Sequence, residues 1–342
     1  MPRASRPRRC WAGLLLGLAA GHALPAAAAE LLVGNKSADT VWRLSLKDGR
    51  RIGEFRTGEA PHEIAVAPGG RLAVVSNYGG TQSGNSLSVL DLVGGQPTRR
   101  IDLGQHGAPH GLRFLPDGLR VLVTAEASGS VLVVDVATGA IERVIDVGGG
   151  TGHMLALSPD GDVAYLTKIQ AGTLSRIDLA SGRKTLEKSA GRGAEGLAVR
   201  PDGREVWVAN REDDTITVHD PKTLAVKRRM SSRGFPIRVA FSADGGLAFV
   251  ANARAATLSV FSARTKVPVA TVPLSRDDMA YRPTLLGNAA LPIGLAVAAD
   301  RPRAYVAISG GDRIAVIDTE RWQVLDYWVT GREPDALEIV AD

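Results

Sequence analysis

A short phrase returns seven times along this chain, and a repeat of that kind leaves few folds open. The copies read APHEIAVAPGG, APHGLRFLPDG, TGHMLALSPDG, GAEGLAVRPDG, FPIRVAFSADG, LPIGLAVAADR and EPDALEIVAD. Their third positions, called marker positions below, carry His62, His110, His153, Glu195, Ile237, Ile293 and Asp335, at successive spacings of 48, 43, 42, 42, 56 and 42 residues. Repetition places equivalent residues at equivalent points, so three histidines and two carboxylates face one common surface in unbroken order.

A unit near forty residues with several short strands predicts a β-propeller, whose four-stranded blades surround a channel. The unit from Glu195 shows all four strands: LAV, a Pro-Asp-Gly turn, EVWVAN, a polar turn at Glu212 to Asp214, TITVHD, and LAVKRRM. Apolar and polar residues alternate in the outer strands, as half-buried strands require. Seven third strands can be counted, from VWRLSL to IAVID. LLVGN near the N-terminus reads as a second strand, and ALEIVA at the C-terminus as a first strand without a successor. The expectation is an all-β, seven-bladed propeller in which N- and C-terminal strands close one blade and leave no open edge. An open β-solenoid does not explain the interlocking ends.

Residues 1–29 read as a secretory signal: Arg3, Arg6, Arg8 and Arg9 precede an apolar run from Trp11 to Ala20, and small residues follow up to Ala29. The run is too short to span a membrane. Arg8 and Arg9 resemble a twin-arginine signal, but the following residues fit that pattern poorly, which favours Sec-type export. The expected mature chain is a single domain over 30–342, monomeric and periplasmic or secreted.

Export also changes the charge. The chain has 41 basic and 36 acidic residues, and loss of the four signal arginines lowers its formal charge from +5 to +1. That balance argues against a nucleic-acid partner. Cys10, the only cysteine, lies in the signal, which removes disulfide and thiolate chemistry from the mature protein.

The strand-and-turn pattern VWVANREDDTITVHD, followed by a blade-linking loop and a Pro-Asp-Gly turn, resembles the YVTN repeat family of seven-bladed propellers. The resemblance covers essentially all of the mature chain. It implies the fold but no one activity, since such propellers include binding proteins, lactonase-like enzymes, lyases and domains of cofactor enzymes. A relative with DNA-binding activity also belongs to that group.

The marker position begins the innermost strand and is expected at the channel mouth. Asp335, His62, His110, His153 and Glu195 form an arc there, and Ile237 and Ile293 close it with an apolar side, which suits a ligand with polar and apolar ends. Imidazoles converging with a carboxylate suit a transition metal ion. The expected metal set is His62, His110 and His153, with Glu195 or water completing the shell. Without a metal, one histidine can act as a general base while Arg192 and Arg332 hold an anionic substrate. His106 adds a fourth histidine on this face, and Lys168 is a further candidate. Two long segments, Tyr78 to Asn85 and Ser275 to Ala290, fall on the same face and bring Asp277, Asp278, Tyr281 and Arg282 toward it.

Other recurring residues read as structural. Asn35, Asn77, Asn210 and Asn252 end second strands and are expected to cap the following turn. Asp91, Asp135, Asp178, Asp220 and Asp318 end third strands as turn acceptors, and His219 lies within a strand. No Walker loop, Rossmann fingerprint, nucleophile elbow or calcium loop is present. Three classes of function follow: a ligand-binding or scaffold propeller for a small molecule or an envelope protein; a metal or cofactor protein, or an accessory factor of a periplasmic redox enzyme; or a lactonase- or lyase-like enzyme.

Overall fold

The computed structural model describes Met1 and residues 29–340 apart from 96, 97 and 285, so most of the expected signal lies outside the described residues. Seven four-stranded antiparallel sheets account for nearly all of the secondary structure. Each sheet is one blade; blade I joins the N- and C-terminal strands, and blades II to VII follow over 61–102, 109–146, 152–189, 194–231, 236–273 and 292–329. Blade I combines Glu30–Asn35, Thr40–Ser45 and Arg51–Arg56 with the C-terminal Pro334–Val340. Leu31 pairs with Ile339 and Val33 with Leu337, so the two ends of the chain share one sheet as expected.

Burial follows from each strand's place in its blade. In blade III, the second strand Arg120–Ala125 and third strand Ser130–Asp135 are buried along nearly their whole length, because a neighbouring blade covers each face. They are accordingly rich in leucine and valine. The outermost strand Ile141–Asp146 is mostly exposed and carries charge. The large buried side chains, including Trp207, Tyr305 and Phe249, therefore lie between blades. Burying one such side chain stabilises the fold by roughly 1.5–3 kcal/mol.

Turn chemistry matches the repeat. Gly118, Gly161, Gly203 and Gly245, which end the Pro-Asp-Gly and Ala-Asp-Gly turns, have φ of 67°, 76°, 72° and 66°, a region that glycine enters without steric cost. The third-strand aspartates accept backbone N–H bonds from the turns that follow, as Asp178 Oδ1 does from Ser181. The second-strand asparagines differ from the expectation. The Asn35 amide donates to Thr40 Oγ1 at 3.2 Å, Asn210 to Thr217 Oγ1 at 3.1 Å and Asn252 to Ser259 Oγ at 2.9 Å. They tie the second strand to hydroxyls of the third, because the buried end of the strand offers those partners and little water.

Candidate functional site at the channel mouth

All seven marker residues line one cavity of about 140 Å³ at the end of the channel. One backbone feature aims them there. Two residues before each marker the chain turns left-handed: Ala60, Ala108, Thr151, Gly193, Phe235, Leu291 and Glu333 have φ between 52° and 69°. Six of these are not glycine, and each such residue costs about 1 kcal/mol or more. At three of these positions the loop between the second and third strands of the preceding blade holds the turn in place. Asp39 Oδ1 accepts the Ala60 N–H at 2.8 Å, Asp214 Oδ1 that of Phe235 at 2.8 Å and Asp312 Oδ1 that of Glu333 at 2.9 Å.

Hydroxyls of the preceding blade pin the marker carbonyls. Thr124 Oγ1 accepts from Gly111 N at 2.7 Å and donates to the His153 carbonyl at 2.9 Å. Thr167 Oγ1 donates to the Glu195 carbonyl, and Ser309 Oγ to that of Pro334, beside Asp335. The side chains of the site thus stand on backbone fastened from two blades.

Within the arc, His62 Nδ1 lies 2.8 Å from Asp335 Oδ2. The His62 and His110 rings meet edge to face at 4.2 Å, and those of His110 and His153 lie tilted at 3.6 Å. His153 stands between two carboxylates, with Nδ1 2.5 Å from Glu126 Oε1 and Nε2 3.6 Å from Glu195 Oε1. Arg211 binds the other oxygen of Glu195, and the Tyr78 hydroxyl donates to Glu126 Oε2 at 2.8 Å.

These contacts divide the histidines electrostatically. Burial alone disfavours a charge on His153, but its bonds to Glu126 and Glu195 outweigh burial and hold it up at about 9. Burial, reinforced by the charge on His153, pushes His110 well below the usual imidazole range. Burial works to raise Asp335, but neighbouring His62 outweighs it and keeps the carboxyl at about 2. Near neutral pH the middle ring is therefore neutral and His153 carries a proton between two acids.

The buried Nδ1 of His110 has no hydrogen-bond partner. His110, Glu126 and His153 offer ligand atoms that all lie within 4.8 Å of one another. This compact group overlaps the expected metal set in His110 and His153 and adds Glu126, whereas His62 is paired with Asp335 and Glu195 with Arg211. Two imidazoles and a carboxylate suit a first-row transition ion.

The remaining sequence candidates lie elsewhere. Lys168 is buried with Nζ bound to the Val147 carbonyl and 3.2 Å from Glu187. Arg192 is exposed and pairs with Asp213 at 2.6 Å. Arg332 donates to the Ser37 carbonyl at 2.8 Å, and the Tyr281 hydroxyl receives the Arg276 N–H at 2.7 Å. None of the four lines the cavity. His106 lies 3.0 Å from Ser128 Oγ on an exposed loop. His219 is structural, held by the Leu224 carbonyl and Thr217 Oγ1, both at 2.9 Å. Of the long segments, Thr284 and Leu286 reach the cavity, while Tyr78 packs on His62 and His110 at 5.0 and 5.6 Å.

Sequence reading missed Lys36, Glu126 and Arg211, and it did not connect Tyr78 to the site. All four occupy one repeat position, the residue just after the second strand. That periodicity was the available signal. Glu63 and Arg238, each one residue after a marker, were also missed; their side chains meet at 2.7 Å although 175 residues separate them.

The architecture and site define a seven-bladed propeller with a histidine–carboxylate hub. The chain belongs to the family described as lactonase, 7-bladed beta-propeller, whose model matches residues 56–267; the YVTN resemblance points to a related kind of propeller. The uncharacterized protein YncE of Salmonella typhi and that of Salmonella typhimurium are each 24% identical over 222 residues, 63% of this chain. That match spans 60% of the length of these curated relatives. Among solved structures, hydrazine synthase of Kuenenia stuttgartiensis superposes with a TM-score of 0.72 at 19% identity, over 85% of this chain and 92% of the other. A functionally unknown protein from Desulfotomaculum acetoxidans reaches 0.76 at 15% identity, over 91% and 98%. Both share the fold. No helix among the described residues is long and apolar enough to cross a membrane.

Proposed function

We propose that this chain is an exported binding propeller whose hub takes one first-row transition ion at His110, His153 and Glu126. The observation that carries this reading is the orphaned Nδ1 of His110 beside a protonated His153 and two acids. A proton held between two carboxylates occupies the kind of position a cation would take, and Glu195 stands ready as a further ligand. Tyr78 orients Glu126, and Arg211 orients Glu195, which restrains the ligand geometry. A bound ion would supply Lewis acidity to a ligand in the cavity. Lys36, Arg211 and Arg238 line that cavity and favour a ligand carrying an anionic group, while Ile237, Ile293 and Leu286 offer its apolar part a wall.

A second reading, a lactonase-like hydrolase, draws support from the family and from the His62–Asp335 pair. Asp335 would orient His62 through Nδ1 and leave Nε2 to take a proton from attacking water. Titration calorimetry of metal-free protein with zinc, copper(II) and nickel(II) tests the first reading, alongside a pH-stat screen of lactones with and without metal. Stoichiometric binding lost in His110→Ala and Glu126→Gln is the expected result. Hydrolysis by metal-free protein that disappears in His62→Gln would favour the second reading instead, and absence of any metal uptake would overturn the first.

A further inference from the structure

Behind the hub, the first strands continue toward the Pro-Asp-Gly turns and line a second chamber of about 400 Å³. A side-chain partition stands between the two spaces. Arg238 Nη2 from blade VI lies 2.7 Å from Glu63 Oε1 of blade II, and Arg238 Nη1 lies 3.5 Å from Met154 Sδ of blade IV. Arg238 and Met154 line both cavities.

The chamber has its own repeat signature. Three residues after the markers stand Ala65, Arg113, Ala156, Ala198, Ala240, Ala296 and Glu338. Three of the five alanines, Ala156, Ala198 and Ala240, line the chamber, and the two exceptions are one base and one acid, separated by a single blade. Among the described residues, Arg113 and Glu338 form no ion pair with each other or with any other group. Arg113 Nη1 donates only to its neighbour's carbonyl, that of Leu112, at 2.6 Å. Burial, aided by the charge on Glu63 and only partly opposed by Arg113, raises Glu338 to about 7. Leu157, Leu197, Leu295 and Leu337 supply apolar walls.

An acid and a base that share a chamber with leucine side chains in its wall, without meeting, are arranged for a molecule that bridges them. We infer that this chamber is a second binding site, distinct from the hub, for a compact zwitterion with an aliphatic body, its ammonium on Glu338 and its carboxylate on Arg113. α-Amino acids with branched aliphatic side chains have this chemistry. Neither the metal nor the hydrolase reading of the hub is needed for it.

The test is titration calorimetry of the full chain with leucine, 4-methylpentanoate, which lacks the ammonium, and 3-methylbutylamine, which lacks the carboxylate. Leucine is expected to bind at least tenfold more tightly than either. Glu338→Gln and Arg113→Gln should each weaken it at least tenfold, with folding verified by circular dichroism, and His110→Ala should leave it unchanged. Near pH 7 leucine binding should also release a proton from Glu338, seen as a heat that changes with buffer ionisation enthalpy. No leucine binding, equal binding of 4-methylpentanoate, or unchanged affinity in Glu338→Gln would overturn the proposal.

Discussion

Glu126 and His153 belong to adjacent blades and approach to 2.5 Å between Oε1 and Nδ1. The pair places a proton where the proposed ion would sit. Because His153 holds that proton up to about 9, an ion that takes its nitrogen must displace it. Metal affinity should therefore rise up to about tenfold per pH unit below that value and level off above it. Calorimetry at pH 6, 7, 8 and 9 checks this. An affinity independent of pH would show that His153 is not a ligand.

The same pair links stability to pH. A histidine raised from an unfolded value near 6.5 to about 9 stabilises the fold fully below the lower value, and loses that contribution as pH rises through the higher. The loss amounts to at most roughly 3 kcal/mol. Urea midpoints of metal-free protein between pH 6 and 10 should fall accordingly, and His153→Gln should flatten this part of the curve.

Across the channel, Arg238 and Glu63 neutralise one another while buried. Arg238→Met leaves the Glu63 carboxylate without its partner and should cost about 3–5 kcal/mol. Adding Glu63→Leu removes the stranded charge and should restore much of that loss. A strictly additive double variant, measured by chemical denaturation, would refute the coupling.

Gly294 is required by close approach of the next blade. A Cβ at this position would lie 1.8 Å from the Asp335 carbonyl oxygen. Gly294→Ala should therefore displace Asp335 from His62 and destabilise the protein by about 1–3 kcal/mol. The expected signature is a lower urea midpoint together with a shifted His62 imidazole resonance.

Removing Pro334–Val340 takes away the strand that closes blade I. The exposed edge of Glu30–Asn35 should then promote unfolding or association. Size-exclusion chromatography and circular dichroism of a chain ending at Gly331 check this. A monomer as stable as the full chain would contradict closure.

The number of blades, their strand order and the junction of the two ends were legible in the sequence, because a period near forty and an alternation of two are local properties of the chain. The arc of His62, His110, His153, Glu195 and Asp335 was legible for the same reason: one position repeated seven times must return to one surface. Tertiary structure decided which members of that arc act together. Glu126, Tyr78 and Arg211 enter the site from loops that have no contact in sequence with His153 or Glu195, and Lys168 turns away to Val147 and Glu187. The left-handed turn before each marker was also hidden, since six of its seven residues are not glycine and only backbone geometry shows it. Periodicity thus determines where a residue lies around the ring, whereas ion pairing and aim depend on distances across blades, which packing of the whole ring sets.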